Sequence, residues 1–151
     1  FAYNYLNFDN IDCFEPLEST WLYLTRNLAD LQDGYGGSAK VHLHKMALSD
    51  RAGACIANVN PTNMGNTSIE MSPTGDIKVR ALDSFEFQDV TLIKIDTEGH
   101  ELMVLNGAYG TIDKWRPRLI VEGNQKEILA FLRNLCLPLQ DKENSISRLT
   151  Q

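Results

Sequence analysis

Apolar residues recur along the chain with two different periods, which predict an order of strands and helices. Residues 90–95 form a near-continuous apolar stretch, typical of a parallel strand that is covered on both faces. Apolar steps of three and four predict one helix that begins near Pro16 and ends at Gly34, and another over residues 126–135. Shorter strands are predicted at residues 11–14, 40–46, 54–59, 77–82 and 118–122.

The predicted elements follow one another as strand, helix, strand, hairpin-like insert, strand, helix, strand, helix. This alternation predicts an α/β fold with a doubly wound, mostly parallel sheet. A chain of 151 residues is expected to form a single domain. Glu15, Asp96 and Glu122 each follow a predicted strand, and right-handed crossovers would bring those strand ends to one edge. Ligands bind at that edge in open α/β sheets, so we expect the functional site there.

A cluster of ionisable side chains follows the strand at residues 90–95. It contains Asp96, Glu98, His100 and Glu101. Capping of the next helix is one explanation, but a single acid would serve that purpose. The cluster therefore predicts a functional site. Its side chains could also ligate a metal, but the chain lacks the Cys/His spacing that specifies one, so no metal is predicted.

The charge balance limits the possible partners. The chain has 14 basic and 20 acidic residues, a net charge of −6. This argues against nucleic-acid and anionic-membrane binding, and leaves small molecules and proteins. The chain has an odd number of cysteines and no CxxC pair; they are Cys13, Cys55 and Cys136. We therefore expect reduced thiols and a cytoplasmic protein.

Six short motifs occur in a definite order. They are Phe14-Glu15-Pro16; Ala47-Leu-Ser-Asp50 followed by Gly53; Asn66-Thr-Ser68; Val79-Arg-Ala-Leu-Asp83; Leu92-Ile-Lys-Ile-Asp-Thr-Glu-Gly-His-Glu-Leu with Leu105-Asn-Gly107-Ala108; and Arg116-Pro-Arg-Leu-Ile-Val-Glu122. In this order they resemble the FkbM-type S-adenosylmethionine-dependent methyltransferases. The resemblance covers roughly residues 11–123 and implies a Rossmann-like methyltransferase fold.

The resemblance implies how the cofactor, S-adenosylmethionine, would be held. Glu15 would accept hydrogen bonds from both ribose hydroxyls, and bonds to a charged group contribute ~1.5–3 kcal/mol. The alternative for Glu15 is a helix N-terminal acid before Pro16. Leu48 and Ser49 would lie against the adenine, or else form an ordinary strand-to-turn junction. Asp96 would face the methionine end of the cofactor.

The resemblance also implies the reaction. Methyl transfer to a hydroxyl is accelerated by a base, typically ~10²–10⁴-fold, and Glu98 and His100 are the candidates. The alternative for His100 is simple packing on the helix surface. The expected activity is O-methylation of a small molecule or sugar, and the main alternative is a catalytically inactive methyltransferase-like binding module. A nucleotide-sugar-binding enzyme of similar topology would instead prefer a pyrophosphate ligand.

One expected motif does not occur between Phe1 and Glu15. In nucleotide-binding α/β units the acid that contacts the ribose lies ~20 residues beyond the glycine-rich turn. Glu15 has only 14 residues before it, so we expect that turn and its strand to precede Phe1 and the domain to be partial at its N-terminus. A sheet without its middle strand has unpaired edges. The chain is thus expected to be part of a longer protein, an incomplete fragment, or a subunit that pairs with a second copy in a homodimer.

Overall fold

The structure is a computed structural model that describes residues 8–35, 39–59 and 67–135. The chain divides into two compact units, Phe1–Ala47 and Leu48–Gln151. Each unit has strands and a helix of its own, so the prediction of one single domain stays a prediction.

The first unit contains a strand, a helix and a second strand. They are β1 (Asn10–Phe14), α1 (Glu18–Tyr35) and β2 (Lys40–His44). The two strands are parallel, with Asn10 opposite Lys40 and Phe14 opposite His44. The predicted helix is confirmed, although it continues through Gly34 instead of ending there.

Three side chains on β1 and β2 fix the pairing of these strands. The rings of Phe14 and His44 stack with 4.5 Å between their centroids. Nε2 of His44 also lies 2.7 Å from Oδ1 of Asp12. Cross-strand pairs of this kind contribute about 0.2–1 kcal/mol each, so they favour the observed register.

A four-stranded sheet begins at the boundary between the two units and continues through the second unit. Its strands are β3 (Ala47–Leu48), β4 (Gly53–Asn58), β5 (Ser68–Met71) and β6 (Ile77–Arg80), in the order β3-β6-β4-β5. Because β4 is antiparallel to both β5 and β6, the predicted hairpin-like insert is confirmed. Ser68, the last residue of the motif Asn66-Thr-Ser68, begins β5.

A parallel strand pair and three short α-helices complete the second unit. A 3₁₀ helix (Leu82–Phe85) comes before them in the chain. The elements that follow it are, in order, β7 (Leu92–Ile95), α2 (Glu101–Gly107), α3 (Tyr109–Trp115), β8 (Arg118–Val121) and α4 (Gln125–Asn134). Leu92 pairs with Arg118 and Ile95 with Val121. The predicted strands and the last helix are confirmed with shifted ends, whereas α3 was not predicted.

The hydrophobic core of this unit lies where α2, α3 and α4 cover one face of β7 and β8. Leu105, Ile112 and Leu132 are its largest fully buried side chains. Ile95 of β7 and Val121 of β8, which pair with each other, are buried as well. This packing holds the carboxyl ends of both strands in place.

The mixed α/β class is confirmed. Within the described residues the parallel pairs are β1–β2 and β7–β8, and β4 makes antiparallel pairs. An apolar run in the sequence predicts a buried strand, but it does not predict which strand pairs with it. The arrangement of all strands in a single doubly wound sheet stays a prediction.

Two further findings concern the cysteines and the helices. Cys13 and Cys55 are free thiols, and Cys136 lies outside the described residues. In the described ranges, no helix is both long and apolar enough to cross a bilayer.

Candidate functional site

The turn between β7 and α2 has an unusual backbone. Glu98 has φ 52° and Gly99 has φ 102°, so two consecutive residues adopt left-handed conformations. Such a conformation costs of order 1–3 kcal/mol at a residue with a side chain, and Glu98 bears that cost. Glu86, Asp89 and Arg116 have similar positive φ values, so this conformation does not by itself distinguish Glu98, whose role stays a prediction.

Glu101 holds this turn together. Its side chain is buried, and its Oε1 accepts hydrogen bonds from the backbone N–H of Thr97 (3.1 Å) and of Gly99 (2.9 Å). The hydroxyl of Thr97 donates to the same oxygen at 3.0 Å. Capping therefore explains Glu101 but leaves Asp96, Glu98 and His100 without a structural role of that kind. No separate role was predicted for Glu101, although an acid in the first turn of a helix is a known signal of a helix start.

Two of the sequence motifs meet at His100. Its Nε2 lies 2.9 Å from Oγ of Ser49, 51 residues away in the chain. Ser49 is completely buried, and its hydroxyl donates to Oδ1 of Asp50 at 3.1 Å. Burial lowers the pKa of His100, while the nearby carboxylates of Asp50 and Glu101 act in the opposite direction. The site therefore favours a neutral imidazole at pH 7, the form that can accept a proton.

Asp96 and Glu122 lie at the carboxyl ends of paired strands and share one lysine. Nζ of Lys94 is 2.7 Å from Oδ2 of Asp96 and 3.9 Å from Oε1 of Glu122. These exposed ion pairs add little stability. The expectation that these two acids meet at one sheet edge is confirmed.

Glu15 belongs to the first unit and Leu48 to the second. In the first unit, Oε1 of Glu15 accepts a hydrogen bond from the backbone N–H of Leu17 at 2.8 Å, which is the helix-end role considered above. Within the described residues the other oxygen of Glu15 has no hydrogen bond. In the second unit, Leu48 is partly exposed beside the buried Ser49.

A cavity of about 310 Å³ lies beside the turn. Asn124 forms part of its polar wall, donating from Nδ2 to Oε1 of Glu127 at 2.9 Å. A Cβ atom added to Gly123 would lie 2.8 Å from Oε2 of Glu101, so a glycine is needed there. The lining residues are Gly99, Glu101, Leu102, Gly123, Asn124, Glu127 and Ile128. In the part of the chain that the structure describes, no group of three or more side chains could hold a metal ion.

Comparison with known proteins identifies the family. Residues 12–136 match the family model described as the methyltransferase FkbM domain. The chain belongs to the FkbM methyltransferase family. The six motifs lie within or at the edge of the matched range, so the resemblance inferred from them is confirmed.

A solved structure gives the same assignment for the fold. The FkbM domain is similar to the crystal structure of methyltransferase FkbM from Methylobacillus flagellatus KT, with a TM-score of 0.59 and 22% identity. The similarity covers 85% of this chain and 30% of that chain. No curated protein matches the chain.

Proposed function

We propose that this FkbM domain is an S-adenosylmethionine-dependent methyltransferase that methylates a hydroxyl group of a small molecule or sugar. The family assignment supports methyl transfer, and the contact between Ser49 and His100 is the observation that carries the proposal. It joins the segment expected to lie against the cofactor's adenine to the segment expected to hold the base.

The side chains have the chemistry that such a cofactor requires. A carboxylate oxygen of Glu15 is available for ribose hydroxyls, and the carboxylate of Asp96 suits the ammonium group at the methionine end. Leu48 offers an apolar surface for the adenine. The hydroxyl of Ser49 is already engaged by His100 and Asp50, so Leu48 is the better candidate for that contact.

The chemistry at the acceptor needs little more than position and a base. The chemistry that bound S-adenosylmethionine would supply is an electrophilic methyl group, with the sulfur as the leaving group that would keep the electron pair. The acceptor oxygen gains that methyl group and loses its proton to His100. Correct placement of the reacting groups can lower the activation free energy by up to ~7–11 kcal/mol. A base can raise the rate by a further factor of ~10²–10⁴.

The cavity beside the turn is our candidate for the acceptor site. Its volume is near the lower end of the ~300–1,000 Å³ typical of small-molecule sites, which suits a small acceptor. Gly99 lines it, between the two proposed base candidates Glu98 and His100 in the chain. Asn124 and Glu127 offer hydrogen bonds to a hydroxylated molecule.

Methyl transfer from tritium-labelled S-adenosylmethionine to a panel of monosaccharides and catechols tests the proposal. We expect labelled product with the unmodified protein, and a rate about 10²–10⁴-fold lower in His100→Gln. Glu70→Gln, an exposed acid on β5, is the control and should transfer at the original rate. A folded protein that neither transfers methyl nor binds S-adenosylhomocysteine would contradict the proposal. Binding without transfer to any acceptor would instead indicate a non-catalytic module.

A further inference from the structure

The hydroxyl proton of Ser49 has a definite direction. Oγ donates to Oδ1 of Asp50 at 3.1 Å, and an ionised carboxylate can only accept hydrogen bonds. Nη1 of Arg51 lies 2.9 Å from Oδ2 of Asp50, so a cation pairs with this carboxylate. A serine hydroxyl has a single proton, so Ser49 has none left to donate elsewhere.

The state of the His100 ring follows from this. Oγ of Ser49 can only accept a hydrogen bond from His100, across the 2.9 Å to Nε2. Nε2 must therefore carry a proton. In a neutral imidazole one nitrogen is the donor and the other the acceptor, so the lone pair is on Nδ1. Among the described residues, no group forms a hydrogen bond with Nδ1.

We propose that Ser49 and Asp50 are positioning residues that hold His100 as the Nε2–H tautomer, which makes Nδ1 the atom that takes the acceptor's proton. The second half of this inference rests on the proposed methyl transfer, and the first half does not. In the reaction the acceptor O–H bond breaks, its proton forms a bond to Nδ1, and the oxygen gains the methyl group from sulfur. The resulting imidazolium keeps its Nε2–H bond to Ser49, and the negative charge of Asp50 stabilises it.

The surroundings of the ring favour this arrangement. Ser49 is fully buried, so water does not compete for its hydrogen bonds. Its backbone carbonyl packs closely against Gly107 of α2, which fixes the segment beside the helix that begins after His100. The charged groups that act on His100 are Asp50, from the segment after β3, and Glu101, from the start of α2. His100 itself is partly exposed, so its other edge can be reached by an acceptor.

Nuclear magnetic resonance of the ¹⁵N-labelled protein decides the tautomer. Two-bond ¹H–¹⁵N correlations of the His100 ring, recorded above its pKa, distinguish Nε2–H from Nδ1–H. We expect Nε2–H to dominate in the unmodified protein. In Ser49→Ala the partner of Nε2 is lost, and in Asp50→Asn the new amide can donate to Oγ and release the hydroxyl proton towards Nε2. Both variants should therefore show a clearly larger share of Nδ1–H, and Glu70→Gln should not.

The second variant protects the test against a folding defect, because Asp50 is partly exposed whereas Ser49 is not. An Nδ1–H ring in the unmodified protein would overturn the inference. So would an unchanged tautomer in Asp50→Asn or in a folded Ser49→Ala.

A kinetic measurement tests the catalytic half. Ser49→Ala should lower kcat for methyl transfer about tenfold with little change in KM for S-adenosylmethionine, and should have no further effect in a His100→Gln background. An additive loss in the double variant would overturn the positioning role. Methyl transfer by a protein with an Nδ1–H ring would refute this inference alone. An Nε2–H ring in a protein without any methyl transfer would refute the catalytic half together with the proposed function, and leave the tautomer assignment standing.

Discussion

Thr97 donates both its backbone N–H and its hydroxyl to a single oxygen of Glu101, at 3.1 and 3.0 Å. The turn after β7 is thus built around a side chain of the protein. A turn that is held in this way needs no ligand to form, so Asp96, Glu98 and His100 are positioned in advance. Such preorganisation is what a catalytic site requires, because groups that must first be ordered lose part of their effect.

Replacing Glu101 tests this description of the turn. Glu101→Ala leaves three donors without their partner, two of them backbone N–H groups. Because each lost hydrogen bond to a charged group costs about 1–3 kcal/mol and water can reach the partly buried donors, we expect the free energy of unfolding to fall by about 2–4 kcal/mol in total. Urea denaturation measures it. Glu70→Ala, on an exposed strand position, should change it by less than about 0.5 kcal/mol. Equal effects of the two variants would contradict the account.

Gly107 gives a test in which two effects have opposite signs. Alanine is favoured over glycine within a helix by about 1 kcal/mol, so propensity alone predicts stabilisation. A Cβ atom at Gly107 would, however, lie 2.0 Å from the carbonyl oxygen of Ser49, which is backbone and cannot move aside easily. We expect Gly107→Ala to destabilise the protein by about 1–3 kcal/mol. Asn106→Ala, at an exposed position of the same helix, should be neutral or stabilising. Thermal unfolding of both variants measures the difference, and a Gly107→Ala variant that is more stable than the unmodified protein would contradict the close contact with Ser49.

Two aspartates near α3 should differ in their effect on stability. The carboxylate of Asp83 accepts hydrogen bonds from the backbone N–H groups of Gly110 and Thr111, both at 2.8 Å, and so caps the helix from a distant segment. Asp83→Ala is expected to cost about 1–2 kcal/mol. Asp113 pairs with Arg116 on the exposed surface, and Asp113→Ala should cost less than about 1 kcal/mol. Chemical denaturation of the two variants should reproduce this order, and the reverse order would refute the capping role.

The lowered pKa of His100 predicts a pH dependence of stability. Because the folded state disfavours the protonated ring, the unfolded chain binds more protons below its own pKa of ~6.5. The stability that His100 contributes is thus present above about pH 6.5 and is lost as the pH falls through the folded pKa. We expect His100→Gln to lose less stability than the unmodified protein between about pH 7.5 and about pH 5.5, as measured by urea denaturation. A steeper loss in the variant would contradict the direction of the shift.

Continuous apolar runs made much of the fold predictable. Residues 90–95 and 118–122 were predicted as strands because buried parallel strands have few polar positions, and β7 and β8 lie within these ranges as a parallel pair. The helix α3 was not predicted, because its cap, Asp83, comes from a segment 27 residues earlier and leaves no local signal. The sequence predicted a hairpin-like insert but not which strands pair with β4. Side-chain alternation along a strand does not specify the strand that lies beside it.

The candidate site was predictable in composition but not in its contacts. The motif from Asp96 to Glu101 was recognisable, yet nothing in it separates Glu101, which closes the turn, from Glu98, which is exposed. The partnership of Ser49 with His100 depends on a tertiary contact across 51 residues. The resemblance implied instead that Ser49 would lie against the adenine, and this role stays a prediction.

Binding of S-adenosylhomocysteine, measured by isothermal titration calorimetry, tests the central claim most directly. The account predicts micromolar binding by the unmodified protein, weakened strongly in Glu15→Ala and Asp96→Ala, whose carboxylates would hold the ribose and the ammonium group. Glu70→Ala should bind as the unmodified protein does, and circular dichroism should show that each variant is folded. No binding by the folded, unmodified protein, or equal binding by all of the variants, would contradict the account.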